Sequence, residues 1–506
     1  MTTDATDKAP YFIGITTLDD ETQVDALPLT GSLPSWLKGT LIRTGPAKFE
    51  VGGRRLNHLF DGFAMLHAYR FANGRVGYTN RYLRSHAYCE ALAHGVVTRG
   101  EFASGPHWSL PLRLYRMLRP KYTDNCCVNV VDLAGDMVAL TETPHAVRFA
   151  PETLDTMGDY PLGARFPGHI ACAHPRFDRE RNQWYNVTVK CGLKGTYIAH
   201  RVDAESGQCS AVGRITVNEP AYVHSFGMSR DFLVLAECPY VAKPLSFPLS
   251  GKPYVENYRW EPERGTRFHV IAKDTGRVVA TARGESCFMF HHINAYEEDG
   301  SLCVDLAAYP DPTIISQLYL EYLGSGAEVR AVGKLARFRI ALDRYGQEVP
   351  SRQLSETRLE FPRINETFCT GGPYRYLYGA GSESRIGFTD NLVKVDVITG
   401  DTLRWHEPDC YPGEPVFAAA PAAAGEDEGV VLAVVLDARV KTSFLLVLDA
   451  RSYTELARAA LPHHVPFSFH GNFYLPKETG DRSQESGVRR VSTNPPIHQS
   501  TNPSIQ

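Results

Sequence analysis

Four short stretches each place a histidine at or beside the end of a β-prone run: Ala-His174-Pro, Tyr-Val-His224-Ser-Phe, Met-Phe-His291-His292-Ile-Asn and Ser-Phe-His470-Gly-Asn. Neutral imidazole suits iron, copper, nickel and zinc, and geometry rather than affinity selects among them. Four such ligands leave a divalent ion its full charge and, in octahedral coordination, two open positions, which favours dioxygen. The chain holds 18 histidines. A lone histidine in a β-rich protein is ordinarily a core or surface residue, so position alone singles out these four. They lie about 50, 67 and 179 residues apart, too far for a helix or a zinc-finger loop. A closed, radially repeated fold, whose inner strands converge on one axis, brings them together.

Three glutamates stand in apolar or proline-bounded contexts where a solvated acid is not expected: Ala-Leu-Thr-Glu142-Thr-Pro, Leu-Glu360-Phe-Pro and Pro-Gly-Glu414-Pro-Val-Phe. Metal-bound histidines normally donate their second ring N–H to a carboxylate or carbonyl, fixing tautomer and ring orientation. Each glutamate is a candidate for that task; the plain alternative is a capping or turn carboxylate.

Seven hairpin signals supply the frame. They centre on Gly74, Pro151, Gly207, Gly276, Gly346, Gly400 and Arg451, each a turn between two β-rich runs. Their spacing suits an all-β, seven-bladed β-propeller with a helical or loop cap over the metal-bearing face. A two-sheet sandwich does not explain seven similar hairpins. One propeller domain is expected over 10–476, with disordered ends at 1–9 and 477–506, the latter rich in Ser, Asn, Pro and Gln. Residues 105–122 join Leu, Trp, Tyr and Met to Arg113, Arg116, Arg119 and Lys121 without an acid. They read as a lid helix, or as a face that dips into an anionic membrane.

The formal net charge of -4 leaves no footprint for nucleic acid. Eleven cysteines without a C-x-x-C pair are reduced-compartment usage. The first ten residues have no apolar core of a signal peptide, and no apolar run spans a bilayer. A cytoplasmic monomer is expected.

The stretches Leu-Lys-Gly-Thr-Leu-Ile-Arg-Thr-Gly-Pro (37–46), His58-Leu-Phe-Asp61-Gly62, Thr-Asp124-Asn125, the four histidine motifs and Glu-Pro-Asp-Cys-Tyr-Pro-Gly-Glu414-Pro resemble the carotenoid cleavage oxygenase family. The phrasing is nearest the animal-type branch of β-carotene cleavers and the visual retinoid isomerase. The resemblance implies a seven-bladed propeller holding one non-haem Fe(II) on His174, His224, His291 and His470. It favours His291 over His292, because relatives place the ligand directly after Phe. It also implies that Glu142, Glu360 and Glu414 accept from His224, His291 and His470 respectively, leaving His174 without a carboxylate. Two features depart from the pattern. The Pro-Asp-Pro-Cys anchor motif is replaced by Gly105-Pro106-His107-Trp108, and Thr141 stands where stilbene-cleaving relatives tend to have Lys.

The implied reaction is oxidative cleavage of a conjugated C=C bond in a carotenoid or apocarotenoid, with dioxygen as co-substrate. Phe60, Phe288, Phe290 and Phe469 flank the motifs and are tunnel candidates for the polyene. A stilbenoid cleaver of the same fold, a metal-dependent propeller hydrolase and a non-catalytic interaction propeller are the rival readings. Four neutral imidazoles fit the hydrolase poorly.

Overall fold

Five turns share one backbone solution. At residues 150–154, 203–207, 272–276, 396–400 and 449–453, the N–H of the fifth residue donates to the carbonyl of the first over 2.7–2.9 Å. The fifth residue is left-handed each time: Leu154, Gly207, Gly276, Gly400 and Tyr453, with φ between 61° and 83°. Asp203, Asp396 and Asp449 steady three of these turns by accepting, on Oδ1, the N–H groups two and three residues on. Each turn joins two antiparallel strands of one sheet.

The computed structural model describes residues 9–476, apart from 107–108, 110, 113–114, 116–120, 163–165, 331 and 384–387. The expected disordered ends, beyond Ala9, and most of the 105–122 segment lie outside the described residues. Within them the fold is all-β, with short helices between sheets. Six sheets of four to seven strands follow one another along the chain. The seven-stranded sheet runs from Phe288–Glu298 to Thr402–His406 and holds two successive hairpin units. Counted as two, it makes the sheets consistent with seven blades.

Both chain ends close the ring. Gly471–Tyr474 pairs antiparallel with Gly39–Lys48 in the first sheet, and Leu29–Gly31 pairs with Glu455–Ala460 in the last. Strands in the middle of a sheet, such as Gly429–Asp437 and Thr442–Asp449, are buried almost throughout. They pack against other sheets on both faces, so their sequences, GVVLAVVLD and TSFLLVLD, are nearly continuous apolar runs. The outermost strand Cys209–Val217 exposes much of its length instead.

One hairpin carries an addition. The turn at Gly346 lies between Gly333–Ala341 and Ser351–Arg363, which pair antiparallel as expected. Gln347–Glu348 pairs in parallel with Val278–Gly284 of the preceding sheet. The reason is that sheet's open edge: Thr281 N–H donates to the Arg344 carbonyl, and Val349 N–H to that of Arg283. Covering an exposed edge satisfies groups that would otherwise invite pairing with another chain.

The turn geometry predicts a ranking. A Cβ on Gly276 would collide with the Val212 carbonyl, whereas one on Gly74 meets nothing within 4 Å, although both residues have positive φ. Gly74→Ala should therefore cost about 1 kcal/mol, and Gly276→Ala about 2–4 kcal/mol once a backbone clash is added. Thermal midpoints of the two variants check the order.

Candidate metal centre

The four histidines sit at equivalent places in four sheets. His174 follows the strand Ile170–Ala171, His224 precedes Gly227–Met228, His291 lies within Phe288–Glu298 and His470 directly precedes Gly471–Tyr474. Each of these is the terminal strand of its sheet. The ring nitrogens all lie within 4.8 Å of one another. Nε2 of His174 is 3.0 Å from Nε2 of His224, and Nε2 of His291 is 3.1 Å from Nε2 of His470.

Three carboxylates fix the tautomers. Nδ1–H of His224 donates to Glu142 over 2.5 Å, that of His291 to Glu360 over 2.5 Å, and that of His470 to Glu414 over 2.7 Å. His174 has no carboxylate partner among the described residues. Burial pushes His470 down to about 4 against the pull of Glu414. Desolvation and the other three imidazoles hold His174 well below the ordinary value. His174 and His470 are therefore held neutral. With Nδ1 of His291 and of His470 donating to carboxylates, their Nε2 atoms face each other as the donor atoms left for a metal. That contact is repulsive, and a cation at the common point converts it into ligation. The donor set thus fits a divalent transition metal.

Bulges aim two of these groups. The register of Phe288–Glu298 slips between Met289 and His292, so the consecutive residues Phe290 and His291 both line one cavity. A second slip between Glu360 and Arg363 accompanies Phe361 at φ 51°, a left-handed conformation that a bulky residue rarely adopts. Phe361 N–H donates to Glu360 over 2.7 Å, which steadies the carboxylate against His291. His292 serves elsewhere: its N–H donates to Ser225 Oγ over 2.9 Å, away from the four-nitrogen cluster.

Sequence reasoning passed over the arginines behind Glu414. Arg43 is fully buried and donates to the carbonyls of Glu414 and Phe469 over 3.0 and 2.6 Å, while its guanidinium lies 3.6 Å from the Glu414 carboxylate. Arg363 approaches the same carboxylate to 3.5 Å. Burial opposes ionisation of Glu414, but Arg363, His470 and Arg43 outweigh it and hold the carboxyl at about 2. A charge inside the apolar run Leu-Ile-Arg43-Thr-Gly was the available signal. Tyr222, which donates to Glu142 over 2.6 Å, carried none.

The other motif residues are clamps. Asp61 accepts from the N–H of His58 and Ala103 and from Ser104 Oγ. Asn125 bonds the N–H of Ala64 and the carbonyls of Asp61 and Gly62. Between these anchors Phe60 is fixed at the wall between two cavities. One, of about 60 Å³, is lined by His224, His291 and His470 with Phe60, Phe290 and Phe469. The other, of about 650 Å³, is lined by Phe60, Phe102, Val128 and Glu142 among others. Phe60 and Val128 belong to both. Phe288 lines neither; it is buried and packs on Phe290 and Tyr222.

An all-β ring with four imidazoles converging on its axis, three of them backed by carboxylates, defines a non-haem metalloprotein of the propeller type. The chain belongs to the retinal pigment epithelial membrane protein family, whose model matches residues 15–475. It is 32% identical over 519 residues to a mitochondrial carotenoid-cleaving dioxygenase of Mustela putorius furo, covering 91% of this chain and 95% of the relative. It is 30% identical over 516 residues to the human beta,beta-carotene 15,15'-dioxygenase, covering 90% and 93%. Its fold matches cobalt-substituted Synechocystis ACO, an apocarotenoid oxygenase, with a TM-score of 0.82 at 24% identity over 92% of this chain and 98% of that one.

Metal content should separate ligands from neighbours. Replacing His174, His224, His291 or His470 by Ala should abolish stoichiometric metal, whereas His292→Ala should keep it. Glu142→Gln, Glu360→Gln and Glu414→Gln should fold and each lose about 10- to 100-fold in metal affinity. Elemental analysis and metal titration of each variant decide.

Proposed function

We propose that the protein is an iron(II)-dependent dioxygenase that cleaves a conjugated C=C bond of a carotenoid or apocarotenoid into two carbonyl products. The observation that carries this reading is the convergence of four imidazoles, three of them backed by carboxylates, beside an aromatic cavity that shares two wall residues with a larger, mostly apolar one. Iron(II), when bound by His174, His224, His291 and His470, supplies the chemistry that activates dioxygen. The alkene itself provides the four electrons that reduce dioxygen to two carbonyl oxygens, so no nicotinamide or 2-oxo acid is consumed.

The protein's own share is placement and dryness. The small cavity has room for about two water-sized molecules, enough for dioxygen and not for a polyene. A rod-shaped substrate therefore lies mainly in the larger cavity, whose volume is in the range for an organic ligand. Phe60 and Val128, which line both cavities, are where a substrate in the larger one would come nearest the four imidazoles. Aromatic rings at Phe60, Phe290 and Phe469 hold it by flat apolar contact and exclude water. Glu142, Glu360 and Glu414 keep the three Nδ1 protons, so the imidazoles remain ligands through turnover.

Such a substrate resides in membranes, and the rim of the larger cavity is suited to meet one. Among the described residues no helix is long and apolar enough to cross a membrane. Leu193, Leu245 and Leu249 are 89%, 45% and 52% exposed, and their neighbours Gly192, Pro244 and Pro248 line the cavity, as do Lys121 and Lys252. Exposed leucines and the exposed Lys252 around one opening fit peripheral contact with an anionic bilayer; Lys121 is held by Glu90.

Two experiments test these readings. Under labelled dioxygen, brief turnover corrected for exchange of the carbonyls with water should put one labelled atom in each product. Label in one product alone, or turnover without oxygen, refutes dioxygenation. Changing Leu193 and Leu249 to Glu should release the protein from anionic liposomes while cleavage of detergent-solubilised polyene changes little. Unchanged sedimentation with liposomes refutes the docking rim.

A further inference from the structure

The wall of the larger cavity is apolar around Phe60, Phe102 and Val128, and two carboxyl groups interrupt it: Glu142, engaged by His224 and Tyr222, and Glu101. Glu101 is 3% exposed and lines the cavity. Its backbone N–H donates to the Ser104 carbonyl over 2.8 Å, which fixes the residue in the loop behind Asp61. One carboxyl oxygen lies 2.7 Å from Thr123 Oγ1. No ion pair of Glu101 exists among the described residues: the nearby cations are taken, Arg99 by Glu90 and Asp124, and Lys121 by Glu90. The charged groups that do act on it are carboxylates. Burial, then Asp61 and Asp124, push Glu101 up to about 8, with hydrogen bonds from Thr123 and Asn125 opposing. At neutral pH the group is mostly the uncharged acid, a hydrogen-bond donor set in a greasy wall.

Neither the metal centre nor the cleavage step uses this donor. A pure hydrocarbon polyene gains nothing from it, since burying a polar group against CH surface without a partner is unfavourable. A polyene that ends in oxygen gains a hydrogen bond. We propose that Glu101, positioned by Thr123, is a specificity-determining residue that binds the carbonyl or hydroxyl terminus of an apocarotenoid lying in the larger cavity. This rests on the dioxygenase reading and refines its substrate class. Fixing the oxygenated end at Glu101, with the metal beyond Phe60, also sets which double bond stops at the iron, so the same contact governs regiochemistry.

The test uses iron-loaded protein and two polyenes of equal length, an apocarotenal and its hydrocarbon analogue. A conjugated carbonyl that accepts a hydrogen bond absorbs at longer wavelength. Mixed anaerobically, wild type and Glu101→Gln should therefore red-shift the aldehyde relative to hydrocarbon solvent, and Glu101→Leu should not. In air, the ratio of kcat/KM for aldehyde over hydrocarbon should fall about tenfold or more in Glu101→Leu and stay within about threefold in Glu101→Gln, the span expected for loss of one buried hydrogen bond. An unshifted aldehyde spectrum in wild type overturns the proposal without any variant, and an unchanged ratio in folded Glu101→Leu does the same. If neither polyene is cleaved, the dioxygenase reading fails, and the anaerobic spectrum still decides whether Glu101 binds a carbonyl.

Discussion

Lone pairs on four imidazole nitrogens repel when brought to one point, and the rest of the molecule is arranged to hold them there. Closure of the ring sets the positions. His470 precedes the strand that the first sheet captures from the end of the chain, so one ligand is placed by pairing between Gly471–Tyr474 and Gly39–Lys48. The carboxylates set the proton positions. Without Glu360 and Glu414 on Nδ1, a proton could move to Nε2 of His291 or His470, and the 3.1 Å contact between them would become an ordinary hydrogen bond with no need of a metal.

Those carboxylates are themselves costly to bury, and the cost is met differently at each. Glu142 has a phenol, Tyr222, as second partner. Glu360 takes a backbone N–H from the left-handed Phe361. Glu414 takes the Gly471 N–H and two arginines. A buried ion pair is weak evidence for stability, because desolvation consumes most of its attraction. At Glu414 the pair does something else. Arg43 also bonds the backbone carbonyls on either side, at Glu414 and Phe469, so charge compensation and placement of the His470 loop are one set of contacts.

Much of this was legible in the sequence, and the illegible parts have physical reasons. Hairpin turns announce themselves where the left-handed place is filled by Gly, as at Gly276 and Gly400, and less so where Leu154 and Tyr453 hold it. The histidine motifs stood out because a polar ring at the end of an apolar strand is rare. The turn at Gly346 joins the expected antiparallel pair, but the added pairing of Gln347–Glu348 with another sheet's edge is a tertiary matter that no local pattern encodes. Phe288 failed as a wall residue for a related reason: bulges change which face a side chain takes, and the slip after Met289 leaves Phe288 in the core while Phe290 faces the cavity.

A separate set of clamps shapes what can reach the four histidines. Asp61 and Asn125 hold Phe60 between the two cavities, and the loop that Asp61 ties down, through Ala103 and Ser104, is the loop that carries Glu101 and Phe102. One network therefore sets both the aromatic partition beside the four histidines and the position of the Glu101 carboxyl. On the role proposed for Glu101, a substrate would be measured between two fixed marks, not merely enclosed. In a cavity lined by flexible aliphatic chains a polyene could slide along its own axis by one double bond with little change in contact. Where one end must reach a hydrogen bond and the reacting bond must pass Phe60, sliding loses that bond, and the choice of scissile bond becomes a property of a few hydrogen-bonded loops rather than of the propeller as a whole.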